Sequence, residues 1–69
     1  MRYVDFRDAI RQELRRHRTG MTWAELRQRL RLPYARPCPD WVCRLQREIG
    51  LSRQKRSGPA LVWTVRGGG

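Results

Sequence analysis

The sequence predicts a small α+β domain of three helices followed by a two-stranded β-hairpin. Three observations carry this. Apolar residues recur at the helical period in three separate segments up to residue 49, and the period then changes to two. A capping-box spacing and a proline–glycine pair mark helix ends. Turn chemistry at 56–59 separates a basic strand of five from an apolar one of five. At 69 residues there is room for one domain, over 1–66, with glycines 67–69 as a flexible tail. A chain of this size buries only roughly 60% of its unfolded surface, so a dimer or a bound partner would add stability.

The first helix is expected over residues 4–17. Asp5 suits its N-cap, and Asp8 adds a second acid to its first turn. Tyr3, Phe6, Ile10, Leu14 and His17 form an inward stripe, while Arg7, Arg11 and Arg15 line the outside. Glu13 lies four before His17, the spacing of a local ion pair. Arg18, Thr19 and Gly20 break the pattern. The second helix opens at Thr22 with Glu25 three residues on, so each side chain can satisfy an N–H at the other's position. Met21 and Leu26 stand at the positions of a hydrophobic staple. Trp23, Leu26 and Leu30 face inward, and Glu25 is placed to pair with Arg29.

Residues 31–37 form a connector whose prolines, Pro33 and Pro37, bar helix continuation. Leu32 and Tyr34 are expected against the core. The third helix covers 39–49. Pro39 suits its first position, Asp40 complements the dipole, and Gly50 suits a left-handed stop. Val42, Leu45 and Ile49 share one face; Asp40, Cys43, Arg44 and Arg47 share the opposite one. Strands follow over 51–55 and 61–65, with Leu61, Trp63 and Val65 on one side. Arg56, Ser57, Gly58 and Pro59 supply the turn.

Sixteen Lys+Arg against six Asp+Glu give a net charge of +10. That balance favours polyanionic partners. Compositional bias can explain arginine in place of lysine, but not the shortage of acids. No apolar run reaches the ~18 residues of a membrane span, and the first residues lack a signal peptide's apolar core. A cytoplasmic location is expected, on the nucleoid, or in the nucleus of a eukaryote. Cys38 and Cys43 would point about 140° apart at ~100° per helical residue, which forbids a mutual disulfide. With one histidine they cannot close a zinc site within one chain. Paired carboxylates and a glycine-rich loop between strand and helix are missing as well, so neither a cofactor nor an enzyme is expected.

The order of helix, capped helix, compact turn, helix and basic hairpin, together with the ending GLSRQKRSGPALVWTV, resembles the winged helix-turn-helix family of DNA-binding domains. The resemblance covers residues 3–66 and rests on element order rather than a diagnostic motif. It implies duplex DNA as partner, with the third helix in the major groove and the wing, 51–65, on the minor groove or backbone. By position, the helix readers would be Cys43, Arg44 and Arg47, with Gln46 at the edge. The wing contacts would be Arg53, Lys55 and Arg56. Thr22, at the start of the second helix, resembles a phosphate-clasping position of the family, where free N–H groups suit an anion. The connector is longer and richer in proline than a tight helix-turn-helix turn, a departure on which the angle of the third helix, and with it the residues that reach bases, depends.

Arginine can grip guanine with two hydrogen bonds, worth ~1–3 kcal/mol of discrimination. Arg44 sits four from both Asp40 and Glu48 and can be held in ion pairs, whereas Arg47 has no acid four residues away. Arg47 is therefore the first choice as reader. A transcriptional regulator and a DNA-architectural accessory both fit, alone, as a homodimer or within a larger nucleoprotein complex. Two other classes fit the same basic surface. One is a protein-interaction module anchored by Trp41 and Tyr34; the other is a structured-RNA binder.

Overall fold

Tyr3, Phe6, Ile10 and Leu14 recur every three or four residues, and helix α1 (Tyr3–Arg16) buries all four. In the computed structural model, which describes residues 1–56 and 58–65, it is followed by β1 (Met21–Thr22), α2 (Trp23–Leu30), α3 (Pro39–Glu48), β2 (Leu51–Lys55) and β3 (Leu61–Val65). The result is a small α+β domain with three helices and a three-stranded antiparallel sheet in the order β1-β3-β2. Ser57 of the expected turn, Arg66 and the expected glycine tail lie outside the described residues.

The ends of α1 differ from expectation. Arg2, extended at φ −83° and ψ 156°, occupies the N-cap without a side-chain hydrogen bond. Asp5 is instead a first-turn acid, 4.0 Å from the Arg2 Nε, and Asp8 lies beyond that turn. The earlier start makes Tyr3 helical, which brings its ring edge-on to Trp41 at 5.5 Å between centroids. His17 is the C-cap rather than the end of the buried stripe, and Glu13 is buried in its place. The Glu13 carboxylate lies 3.4 Å from Arg29 Nε and 4.0 Å from His17 Nε2.

Strand β1 is the element the sequence conceals. Met21 pairs with Trp63 and Thr22 with Val62, so the hairpin becomes three strands rather than the expected two. Two residues are too few to display alternation. Thr22 also serves as the N-cap of α2, whose extended backbone (φ −77°, ψ 163°) is compatible with a ladder. The capping box forms: the Thr22 Oγ1 accepts from the Glu25 N–H at 3.3 Å, and Glu25 Oε1 accepts from the Thr22 N–H at 2.9 Å. This commits Glu25 to the cap. Arg29 therefore pairs with Glu13 of α1, not with Glu25. Both staple residues, Met21 and Leu26, are buried.

Helix α2 ends at Arg31, which takes the left-handed conformation (φ 52°, ψ 48°) without being glycine. The following N–H, of Leu32, bonds to the Arg27 carbonyl at 3.0 Å. Leu32 is buried and Tyr34 packs against the core, as the apolar residues of the connector foretold. Trp23 Nε1 donates to the Ala35 carbonyl at 3.1 Å and ties this segment to α2. Pro39 opens α3, which ends at Glu48, one residue before the expected limit. Ile49 is its C-cap, and Gly50 takes the expected left-handed φ of 69°.

Central strand β3 pairs Leu61 with Lys55, Trp63 with Arg53 and Val65 with Leu51. Trp63 is 1% exposed and stacks at a tilt on Trp23, with centroids 5.3 Å apart. Gly20 precedes β1 at φ +96°; a Cβ there would meet Val62 Cγ1, Thr64 Cγ2 at 2.8 Å and the Trp63 carbonyl at 2.9 Å. Gly20→Ala adds both backbone strain and a clash with β3, so it should destabilise the domain by about 1–3 kcal/mol in urea unfolding. An unchanged midpoint would show that β1 does not pack as described.

Candidate nucleic-acid interface

Because Val42 and Leu45 are buried, α3 turns Asp40, Cys43, Arg44 and Arg47 outward, and Gln46 is exposed on the flank. These residues are not equivalent. Arg47 makes no hydrogen bond or ion pair among the described residues, and neither does Asp40. Cys43 is an exposed free thiol, as is Cys38. Arg44 is held in place. Its Nε lies 3.6 Å from Glu48 Oε2, and its guanidinium carbon stands 4.0 Å from the centroid of the Tyr3 ring.

Glu48 is the junction between α1 and α3. Its Oε1 accepts from Arg7 at 3.0 Å and from the Tyr3 hydroxyl at 3.2 Å. The Arg7 hydrogen bond is the largest cause that holds its carboxyl below the ordinary range, and the Tyr3 bond and the charges of Arg44 and Arg7 add to it. Burial and the bond to Glu48 push the Tyr3 phenol up. Two basic residues of the front and side faces are thus consumed in fixing α3 against α1.

Trp41 is also structural. Its ring meets Tyr3, Phe6 and Tyr34 at 5.5, 5.0 and 5.7 Å. Thr22 lies at the N-terminus of α2, but the Glu25 carboxylate already satisfies its N–H, and its hydroxyl accepts from the Glu25 N–H. The negative charge at that end of the helix opposes a phosphate.

The three hairpin residues assigned from the sequence separate in the same way. Arg53 opposes Trp63 in the register, so its side chain shares the inner face of the sheet. Its guanidinium carbon is 5.7 Å from the Trp63 ring centroid, and its Nε is buried without a hydrogen-bond partner. Its stem is packing material. Arg56 donates to the Thr19 carbonyl at 2.6 Å, fastening the segment after β2 to the turn before β1. Lys55 is exposed and has no partner among the described residues. Of the positions assigned from the sequence, Arg47, Cys43, Gln46 and Lys55 present their side chains without a competing bond.

Two arginines not assigned to the site join it in three dimensions. Arg11 and Arg15 of α1 line a cleft of about 530 Å³ with Gln46, Arg47, Glu48, Ile49, Gly50 and Val65. Their spacing of four on the outer face of α1 is legible; their meeting with the end of α3 is a product of packing. Among the described residues no group of three or more His, Cys, Asp or Glu side chains could hold a metal ion, and no helix is long and apolar enough to cross a membrane. Comparison with protein-family models, with curated proteins and with solved structures gives no match.

Two predictions follow from this wiring. Because the folded pKa of Glu48 lies below its unfolded value of ~4.3, its contribution is fully present above that value and is lost as pH falls through the folded one. The stability gap between the wild type and Glu48→Gln should therefore be widest near neutrality and close in acid; a pH-independent gap would contradict the network. Arg53→Ala uncovers Trp63 and should cost about 1 kcal/mol, whereas Arg53→Met keeps the cover and should be near neutral in thermal unfolding. Equal losses in the two variants would mean that the charge, not the stem, matters.

Proposed function

We propose that the chain is a non-enzymatic, winged-helix duplex-DNA-binding protein. It inserts α3 in the major groove and lays the basic wing against the minor groove or backbone, as a transcriptional regulator or DNA-architectural accessory. The observation that carries this reading is Arg47. It stands exposed on the face of α3 opposite the buried Val42 and Leu45, without a partner among the described residues, on a protein of net charge +10.

The dimensions agree. A helix is ~10–12 Å across with its side chains, and the major groove is ~12 Å wide. Helix α3 leads through Gly50 directly into β2, so groove helix and wing are one continuous segment. Lys55 supplies a wing charge that can meet phosphate without first breaking a bond within the protein. The order of three helices and then a hairpin supports the winged-helix assignment, with β1 as an added strand at the side of β3.

The protein-docking reading loses its anchors, since Trp41 and Tyr34 are engaged with Phe6 and with each other. Structured RNA is the second reading, on the basic surface alone. The A-form major groove is too deep and narrow for side chains to read, so RNA would be followed by shape and phosphate instead.

Binding to random duplex across a salt series tests the proposal. With Arg47, Lys55 and neighbouring arginines on phosphates, log K against log salt should fall with a slope of roughly −3 or steeper. A flat response would overturn it. On a preferred site, Arg47→Ala should cost ~1–3 kcal/mol, more than on random duplex, and Lys55→Ala should weaken both alike. Arg44→Ala should affect stability more than binding; the reverse would return Arg44 to the reading face.

A further inference from the structure

The cleft between α1 and the end of α3 brings three guanidinium-bearing residues to one place. Arg11, Arg15 and Arg47 line it together with the Gln46 side chain, while Ile49, Gly50 and Val65 supply an apolar portion. The like charges of Arg11 and Arg47 at one cavity repel, and an anion between them relieves this. Arg11 and Arg47 have no acid partner among the described residues. Glu48 also lines the cleft, but Oε1 is bonded to Tyr3 and Arg7, and Oε2 lies beside Arg44. Its charge is thus offset by Arg7 and Arg44.

From this juxtaposition we infer that the cleft is a binding site for a phosphate ester. The guanidinium groups of Arg11 and Arg47 would take the phosphate oxygens, where planar paired N–H donors match the anion, with Arg15 beside them on the wall of the cleft. Gln46 offers an amide to the ester's polar groups, and Ile49 and Val65 offer apolar contact to its carbon skeleton. A volume of about 530 Å³ falls within the range of small-ligand pockets, ~300–1,000 Å³, and exceeds what a bare phosphate needs. The phosphate ester can be a strand phosphate with its sugar or a free phosphorylated small molecule. Arg47 belongs to both the cleft and the outward face of α3, so a free ligand would compete with DNA for one guanidinium. The site itself does not depend on duplex binding.

Titration of the full-length chain with pyrophosphate, followed by the arginine side-chain Nε resonances, tests the inference. Saturable shifts confined to Arg11, Arg15 and Arg47 are expected. The double variant Arg11→Gln/Arg47→Gln should weaken pyrophosphate binding about tenfold or more, the loss of two charge-assisted contacts. The control Lys55→Gln/Arg56→Gln, which removes two wing charges, should stay within about twofold if net charge alone contributes little. The Arg11→Gln/Arg47→Gln protein should remain at least as stable as the wild type, because it relieves repulsion, so a loss of binding is not a loss of fold. A second titration with a short duplex identifies the source. If the duplex moves the same three resonances, the occupant is a strand phosphate; if only pyrophosphate does, the site serves a free phosphate ester, and the inference stands in both cases. Shifts spread evenly over the arginines, or equal losses in the two double variants, would overturn it whether or not the duplex binds.

Discussion

Phe6 is the point on which the domain turns. Its ring meets Trp23 of α2, Tyr34 of the connector and Trp41 of α3, at 6.2, 6.2 and 5.0 Å between centroids, and it is 1% exposed. Aromatic pairs of this kind add ~0.5–1.5 kcal/mol each beyond the area they bury, a large share of the stability open to so short a chain. The cluster extends through Trp23 to Trp63 of the central strand. One side chain on α1 therefore links, directly or through one neighbour, every helix and the sheet. The direction in which α3 faces follows from it: with Trp41 set against Phe6, the opposite side of the helix must face solvent.

Around this apolar hub the charges fall into two groups. Five of the acids are engaged: Asp5 by Arg2, Asp8 by Arg7, Glu13 by Arg29, Glu25 by the cap of α2, and Glu48 by Arg7 and Arg44. Among the arginines next to these acids, Arg7 and Arg29 join elements through their ion pairs, and Arg44 does so over the Tyr3 ring. Those beyond their reach, Arg47 foremost, carry the excess charge outward. The same residue type thus performs two jobs, separated by the placement of the acids and, for Arg53 and Arg56, by the Trp63 ring and the Thr19 carbonyl. The exposed pairs among these, that of buried Glu13 aside, contribute little individually, typically ~0–1 kcal/mol, so they matter more for orientation than for stability.

Much of the fold was legible in the sequence because its signals are local. The Tyr3–Phe6–Ile10–Leu14 stripe, the Thr22–Glu25 box, Pro39 and Gly50 each state a conformation within a few residues, and each took it. The extents of the two hairpin strands followed from the change of period and from the turn. What was not legible depends on distant partners. Strand β1 exists because Met21 and Thr22 meet β3, and Arg31 adopts a left-handed conformation with no glycine to announce it. In the site, the local spacing ranked Arg47 above Arg44 on two ion pairs open to Arg44; the one with Glu48 forms and the one with Asp40 does not. The inward position of Arg53, fixed by its register with Trp63, and the meeting of Arg11 with Arg47 are long-range facts that no spacing states.

The most direct test of the account is amide-shift mapping of the protein with short duplex DNA. The largest perturbations are expected at Asp40, Cys43 and Arg47 on the outward side of α3 and at Lys55 at the end of β2, while the amides of Phe6, Trp41 and Trp63 in the aromatic hub move little. Perturbations centred instead on α2 and the connector near Ala35, with α3 silent, would contradict it and assign the nucleic-acid surface to another face of the domain.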